Sequence, residues 1–487
     1  MKKSYPTGCQ KAISVILGAF ITGFMWRCRG ESGWGSSWGL FSVALVLMLF
    51  IYQLYGKRTG MKYEKIPIGA LMMMLGVTGY ATVIDQLSGT VWSDLPYPVQ
   101  GGVPMRAPVS TESAAIIIIA MGFTLVPLFA FFIGSLFSDK EYKIRHYVIA
   151  VVLFFAVSTI VKATVAHPIL QAINPDQVEW AAKGLADFGI DLSPKDAYMT
   201  HFLNRDFSQD IAFNENYYMS IEHISDVFGV IAVALYALIG RRDKTAFAST
   251  IVIDGFVALG TTALSPLISL EAVKAEIDPS VNVPEFIANG NGWGLWEYST
   301  GFCVGFITML FIALLPKKKT ENTVEDKMPM FENKTGNLIF NFIITVFAFG
   351  VVPGRVIGIR FAKLLKNTGV MEDVGPMGEI ICAVLAVVFA FFMFKRLYGF
   401  LFGGFKNIIG VGPAEFSKKA FVGYFYMCAA AYFFLNHAEI FFLPYDRMAT
   451  ASGFAQVMFS EDLVITVMIA TLAIISLIYL PLRKKLK

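Results

Sequence analysis

Long, nearly uninterrupted apolar segments constrain this chain more than any other feature of its sequence. Each segment is about 20 residues long, which is enough for a helix to cross the roughly 30 Å of hydrocarbon in a bilayer. Unpaired backbone groups are costly in lipid, so segments of this kind form helices. We count about twelve, which begin near Ala12, Trp38, Ile66, Ala114, Tyr147, Ile221, Ala246, Leu295, Gly336, Met377, Phe421 and Asp462. The predicted fold class is all-α, a polytopic integral membrane protein with about twelve transmembrane helices.

Composition agrees with a surface that lipid solvates. Hydrophobic residues make up 56% of the chain and charged residues 16%, and the mean hydropathy is +0.60. A soluble chain carries about 25% charged residues. The net charge of +4 is small and does not indicate nucleic acid. The expected partners are the lipid bilayer and a small-molecule or lipid-linked substrate.

Lysines and arginines in the short loops predict the orientation. Basic residues collect in alternate loops, which the positive-inside rule places in the cytoplasm together with both termini of a multi-pass protein of the cell membrane. These residues include Lys57, Arg58, Lys140, Lys143, Arg241, Arg242 and Lys317 to Lys319. The long segment 175–215 holds eight acidic and three basic residues and is predicted to be an external acidic loop. The loop between the ninth and tenth segments is basic although its predicted side is the outer one.

Two weak matches suggest an internal duplication. Gly33-Trp34-Gly35 and Gly292-Trp293-Gly294 both open apolar segments and lie 259 residues apart, while His167 and His437 both end segments and lie 270 residues apart. An even number of spans per half would make the repeats parallel. The predicted domains are residues 1–240, a six-span half with the acidic loop, and residues 241–487, a second six-span half. Chance is the alternative, because Trp favours membrane interfaces in any case.

Two arginines at the outer end of the first span carry the most specific chemical signal. Arg27 and Arg29 lie beside Glu31 in a glycine-rich turn that continues to Trp34. Guanidinium groups bind carboxylates and phosphates through paired hydrogen bonds, and glycines let backbone N–H groups approach an anion. This pattern favours an anion-binding site. The alternative is a tight external hairpin whose arginines reach lipid phosphates.

Glu297 enters the eighth segment at a position equivalent to these arginines if the duplication is real. Its carboxylate could simply favour a helix N-terminus, or it could act as a proton-coupling acid or general base. We predict that Arg27, Arg29 and Glu297 line one outward-facing pocket, with His167 or His437 at its edge. Trp293 could stack on a sugar ring there, or belong to an interfacial aromatic belt.

The remaining ionisable candidates concentrate near the predicted outer ends of the spans, where a substrate site or proton relay is expected. They are Asp85, His167, Glu222, His223, Arg355, Arg360, His437 and Glu439. Arg355 and Arg360 follow Pro353-Gly354, which suggests a broken helix end of the kind that transporters use for ligands. The histidines and acids have no specific metal-ligand spacing, so no metal and no cofactor are predicted.

Two functions from different classes remain open. Twelve spans with a parallel duplication favour a secondary transporter of a small anionic or sugar-like solute. The outward bias of charge favours an integral membrane enzyme of the transferase type, which would act at the extracytoplasmic face on a lipid-linked or cell-envelope substrate. Nucleotide-binding, metalloprotease and serine-hydrolase motifs are absent from the sequence. We prefer the transporter.

Overall fold

The computed structural model describes residues 8–31, 37–56, 65–76, 99–100, 103–104, 111–187, 189–204, 212–261 and 292–315, together with Leu365, Gly369, Val370, Ile380, Val384, Thr471 and Ile474. These residues are almost entirely helical. The exception is a two-residue antiparallel ladder in which Val99 lies opposite Pro104 and Gln100 opposite Val103. The described part of the chain therefore agrees with the predicted all-α class.

Twelve α-helices are described. They are α1 (Gly8–Glu31), α2 (Ser37–Ile51), α3 (Lys65–Gly76), α4 (Thr111–Phe123), α5 (Pro127–Phe137), α6 (Ile144–Ala163), α7 (Ala166–Ile173), α8 (Pro175–Asp187), α9 (Pro194–Asn204), α10 (Ala212–Leu235), α11 (Lys244–Leu259) and α12 (Gly292–Leu314). Short π-helical turns, Tyr52–Gly56 and Tyr236–Gly240, continue α2 and α10.

Five helical stretches are long and apolar enough to cross a membrane: Gly8–Arg27, Ile119–Phe137, Ile144–Ala163, Ser220–Gly240 and Leu295–Leu314. They coincide with the first, fourth, fifth, sixth and eighth predicted segments. The second, third and seventh segments form the shorter helices α2, α3 and α11. The last four segments lie outside the described residues apart from isolated positions. Several apolar helices are thus confirmed, and the count of twelve stays a prediction.

Helix α6 shows why these helices are consistent with a membrane protein. Its exposed face carries Ile144, Val148, Val152, Phe155 and Ile160, all between 44% and 67% exposed. Its buried face includes the polar Ser158 among small and aromatic residues. A soluble helix keeps its apolar residues inside. A large exposed apolar face is instead what lipid would cover.

The chain divides into two compact units. The first contains residues 1–74, 268–276 and 282–487, and the second contains residues 75–267 and 277–281. The first unit therefore holds α1, α2 and α12, while the second holds α4 to α11. These units are spatial groupings, whereas residues 1–240 and 241–487 are proposed repeats, so the two halves stay a prediction.

In the second unit, the predicted acidic loop 175–215 is partly helical. It contains α8 and α9, and it includes Trp180, Ala181 and Leu185 as buried residues. Pro175 and Pro194 each open a helix, where their missing N–H group costs nothing. The described parts of this segment are thus helical and partly buried. Its location outside the membrane stays a prediction.

A tight turn between α10 and α11 is fixed by one aspartate. Asp243 caps α11 by accepting hydrogen bonds from the backbone N–H groups of Thr245 (2.9 Å) and Ala246 (3.1 Å). The Tyr142 hydroxyl donates to the other oxygen of Asp243 at 2.8 Å. Burial and the adjacent carboxylate raise the pKa of Tyr142 well above its usual range, so this hydroxyl stays a donor. The turn thereby holds α11 in place.

Candidate functional site

Helices α1 and α12 run antiparallel in the first unit, and glycines bring their backbones together. A Cβ atom added to Gly23 would lie 2.9 Å from the Tyr298 carbonyl oxygen, and one added to Gly305 would lie 2.6 Å from the Gly18 carbonyl oxygen. Gly301 and Gly305 are four residues apart, the small-xxx-small spacing that lets membrane helices approach closely. This contact aligns the end of α1 with the start of α12.

At that end, two arginines share one carboxylate. Arg27 Nη1 lies 3.1 Å from Glu297 Oε2, and Arg29 Nη2 lies 3.4 Å from Glu297 Oε1. The arginines are 3% and 1% exposed, whereas the Glu297 side chain is 16% exposed. The Arg29 guanidinium also lies 5.2 Å from the ring centroid of Trp26, within cation–π range. The structure thus brings together the three residues that were predicted to share a pocket.

The geometry follows from the positions of the arginines on the helix. Residues two apart on an α-helix point about 200° apart. Arg27 and Arg29 therefore approach Glu297 from two directions, and each contacts a different carboxylate oxygen. Buried Trp296 lies beside Glu297 on α12. Such an arrangement can hold a carboxylate, or another anion of similar shape, between two forks of N–H donors.

Several other predicted residues fall outside the described part of the chain or belong to the second unit. The side chains of Glu31 and Trp293 lie outside the described parts of their helices, and Trp34, Asp85, Arg355, Arg360, His437 and Glu439 lie outside the described residues. His167, Glu222 and His223 belong to the second unit. Their roles stay predictions.

The second unit carries its own polar cluster around Glu222. The carboxylate of Glu222 forms an ion pair with Lys162 of α6 and accepts a hydrogen bond from the Tyr198 hydroxyl at 2.6 Å. His167 Nδ1 lies 2.7 Å from the Tyr217 hydroxyl, and the His167 ring contacts the Tyr198 ring edge-on at 5.3 Å. Two residues of the predicted group of outer ionisable candidates, His167 and Glu222, are therefore linked through Tyr198.

Burial sets the protonation states in this cluster. It lowers the pKa of His167 to about 4, and the nearby positive charge of Lys195 acts in the same direction. Burial also raises the pKa of Tyr198, with a further contribution from the negative charge of Glu222. The imidazole is therefore neutral near pH 7, and the phenol is a hydrogen-bond donor. His223 lies next to Glu222 but points into the protein and is fully buried.

Sequence reasoning missed Tyr198, Tyr217 and the role of Lys162. Lys162 and Glu222 were each recognisable as ionisable residues in the outer parts of neighbouring spans, so their pairing could have been inferred from charge. No comparable signal marks the tyrosines, because aromatic residues are common at membrane interfaces. Among the described residues, no group of three or more histidine, cysteine, aspartate or glutamate side chains lies close enough to hold a metal ion.

No protein-family model, no curated protein and no solved structure matches the chain. The described residues are consistent with a helical membrane protein that carries two polar clusters, one around Glu297 and one around Glu222.

Proposed function

We propose that this chain is a multi-pass secondary transporter of a small anionic or sugar-like solute, and that Arg27, Arg29 and Glu297 bind the solute and couple its movement to protons. The observation that supports it is the carboxylate shared by two almost completely buried guanidiniums, between two helices of membrane-spanning length. Ionisable groups at such positions are costly and are usually functional.

The ion pairs of Arg27 and Arg29 with Glu297 are not expected to add much to the stability of the folded protein. Burial removes the solvation of both arginines and of the carboxylate, and the attraction between them commonly fails to repay that cost. Apolar side chains of similar volume would pack the α1–α12 contact at least as well. A ligand-binding role gives the arginines a reason to be present, because guanidiniums select carboxylates and phosphates by both charge and shape.

The pair also suggests a mechanism of coupling. Glu297 is the more exposed partner, so an incoming anion can reach the arginines from its side. When the anion takes over the contacts of Arg27 and Arg29, the displaced carboxylate loses its positive neighbours. In this proposal the released carboxylate of Glu297 is the group that carries the coupled proton. One anion and one proton would then occupy the site together and cross the membrane in the same direction, which defines a symporter.

The proposed architecture includes the features that lie beyond the described residues. It has about twelve spans in two parallel halves, both termini in the cytoplasm of the cell, and the acidic segment 175–215 outside. The supporting observations are the basic residues of the short loops and the five spanning helices. In this orientation the Arg27–Arg29–Glu297 cluster opens to the outside.

Uptake into proteoliposomes tests the proposal. Radiolabelled inorganic phosphate, lactate, gluconate and glucose 6-phosphate would serve as probes, with the outer buffer acidic relative to the lumen. We expect at least one probe to accumulate, a protonophore to prevent accumulation, and Glu297→Gln to abolish the proton dependence while leaving the protein folded. Failure of every probe in both gradient and counterflow assays would contradict the proposal.

A membrane enzyme is the second candidate, and the Glu222 cluster supports it. Tyr198, Tyr217 and His167 lie outside the five spanning helices, and Tyr198 donates a hydrogen bond to the Glu222 carboxylate. Groups of these types can serve as acids and bases in catalysis. A transferase would convert a lipid-linked substrate covalently. Lipid extracts of cells that overproduce the protein would then contain a product of altered mass, which disappears in Glu222→Gln. Transport without such a product would exclude this candidate.

A further inference from the structure

The span Ile119–Phe137 is interrupted within its apolar length. Helix α4 ends at Phe123, and α5 begins at Pro127. Thr124 donates its N–H to the carbonyl oxygens of Ala120 and Met121, and Leu125 donates to Gly122 at 3.3 Å. The helical hydrogen-bond pattern begins again only where the Ala130 N–H donates to the Val126 carbonyl oxygen at 2.8 Å. Proline has no N–H and cannot continue the helical ladder, which explains the break.

The break leaves carbonyl groups available. Between those bonds, the carbonyl oxygens of Phe123, Thr124 and Leu125 accept no backbone hydrogen bond from a described residue. Thr124, Leu125 and Val126 are nevertheless completely buried. Buried carbonyls need a partner, and non-helical backbone at membrane depth is tolerated where it binds a ligand or lines a cavity.

Asp254 of α11 lies level with this break. Helix α11 runs antiparallel to α4 and α5, and two contacts fix its register. The Ser249 hydroxyl donates to the Ala130 carbonyl at 2.6 Å, and a Cβ added to Gly122 would lie 2.6 Å from the Cα of Ala258. Asp254 lies roughly midway between Ser249 and Ala258, so it is level with Thr124–Val126.

The side chain of Asp254 also lies on the correct face of its helix. The buried stripe of α11 includes Ser249, Asp254 and Ala258, while Phe256 and Leu259 are more than half exposed. Asp254 itself is 0% exposed, and neither carboxylate oxygen has a hydrogen-bond partner among the described residues. An ionised carboxylate without any partner at this depth is very costly.

We propose that Asp254 and the carbonyl oxygens of Phe123, Thr124 and Leu125 bind a monovalent inorganic cation of the sodium class. One carboxylate supplies a single negative charge, and neutral carbonyl oxygens complete a set of hard ligands. The C-terminal end of α4 carries partial negative charge, which favours the cation, and the N-terminal end of α5 favours the carboxylate. Broken membrane helices bind sodium ions in this way.

The site is independent of the proposed solute site, because its ligands come from other helices and its occupancy is measured without a solute. It goes beyond the proposed function by assigning an inorganic cation to α4, α5 and α11. The proposal of a sodium site does not depend on whether the chain is a transporter or an enzyme.

Binding of sodium alone tests the proposal. The full chain in nanodiscs would be titrated with sodium chloride against choline chloride at constant ionic strength, with thermal unfolding and binding of radioactive sodium as readouts. We expect sodium to raise the unfolding temperature with saturation. Asp254→Asn should weaken sodium binding by about 30-fold or more, since it removes one member of a buried charge pair.

Two further variants sharpen the result. Asp226→Asn removes another buried acid, one that accepts a hydrogen bond from Ser158, and should leave the sodium response unchanged. Pro127→Ala restores an N–H donor at the break and should weaken sodium binding. Equal sodium responses in the wild type and Asp254→Asn would overturn the proposal. So would stabilisation of the wild type by acid but not by sodium, because a proton would then occupy the carboxylate.

Discussion

At the scale of single residues, the two guanidiniums around Glu297 matter through their shape as well as their charge. Arg27 and Arg29 each direct a terminal nitrogen at a different oxygen of the same carboxylate. A lysine in either position would supply the charge but not the planar fork. The distinction between charge and shape can therefore be measured by substitution.

We expect Arg29→Lys to impair uptake nearly as much as Arg29→Ala. Loss of one charge-assisted hydrogen bond in a buried site corresponds to a roughly 10- to 100-fold loss of apparent affinity. The measurement is the KM of whichever probe accumulates in proteoliposomes, with the unfolding temperature as a check on folding. Arg145→Lys, on a different unit, is the matched control and should behave as the wild type. Normal uptake by Arg29→Ala would make this arginine structural.

The buried His167 predicts a dependence of stability on pH. Its pKa is lowered to about 4 in the folded protein by burial and Lys195, whereas an unfolded histidine has a pKa of about 6.5. The unfolded state therefore binds the proton first as the pH falls. Stability should be complete above about pH 6.5 and decline towards pH 4, by up to about 3 kcal/mol.

Thermal unfolding of the wild type and His167→Gln between pH 7.5 and pH 4 measures this effect. The glutamine variant lacks the titrating ring, so its unfolding temperature should fall less over the same interval. Parallel pH profiles for the two proteins would show that His167 is not responsible. The comparison isolates one histidine from the acids that also titrate in this range.

At the scale of secondary structure, glycines determine how closely α1 and α12 approach. A Cβ added to Gly301 would lie 2.8 Å from the Thr22 carbonyl oxygen and closer still to Trp26, so any side chain forces the helices apart. Because Trp26 adjoins Arg27, the same displacement would disturb the ion pairs with Glu297.

Gly301→Val should lower stability by about 1–3 kcal/mol, the usual cost of overpacking, and should also reduce uptake. Gly255→Ala is the control, because a Cβ at that helical glycine would meet nothing within 4 Å. It should be neutral or slightly stabilising, since alanine is the better helix former. Chemical denaturation in mild detergent would measure both variants. Equal stability of Gly301→Val and the wild type would contradict the close contact.

The helices themselves were largely predictable, because the lengths of the apolar runs determine where a chain can cross lipid. The break at Thr124–Val126 was not predicted, since Pro127 lies in a continuous apolar run and hydropathy ignores the missing N–H group. The helices within 175–215 were also missed. The acidic composition of this segment suggested an exposed loop, although its apolar residues Trp180 and Leu185 are buried in the structure. Pairing of Arg27, Arg29 and Glu297 was predictable, since a buried guanidinium requires an anion.

At the scale of the whole molecule, orientation in the membrane is the property that the function depends on. The basic loops predict that Lys318 faces the cytoplasm and that Ser193, between α8 and α9, faces the outside. Single cysteines at these positions, in a background without the five native cysteines, should react with an impermeant thiol reagent from opposite sides. Labelling of both positions from the same side of sealed vesicles would refute this topology.

The separation of Arg27 and Glu297 along the chain has a consequence for biosynthesis. The two residues that form the ion pair are 270 positions apart. At a synthesis rate of roughly 5–20 residues per second, the arginines of α1 emerge from the ribosome about 15–50 s before their carboxylate exists. During that interval α1 carries both arginines while the Glu297 side chain that they contact in the folded protein does not yet exist. The contact between α1 and α12 therefore forms late in synthesis, after most of the chain has been made.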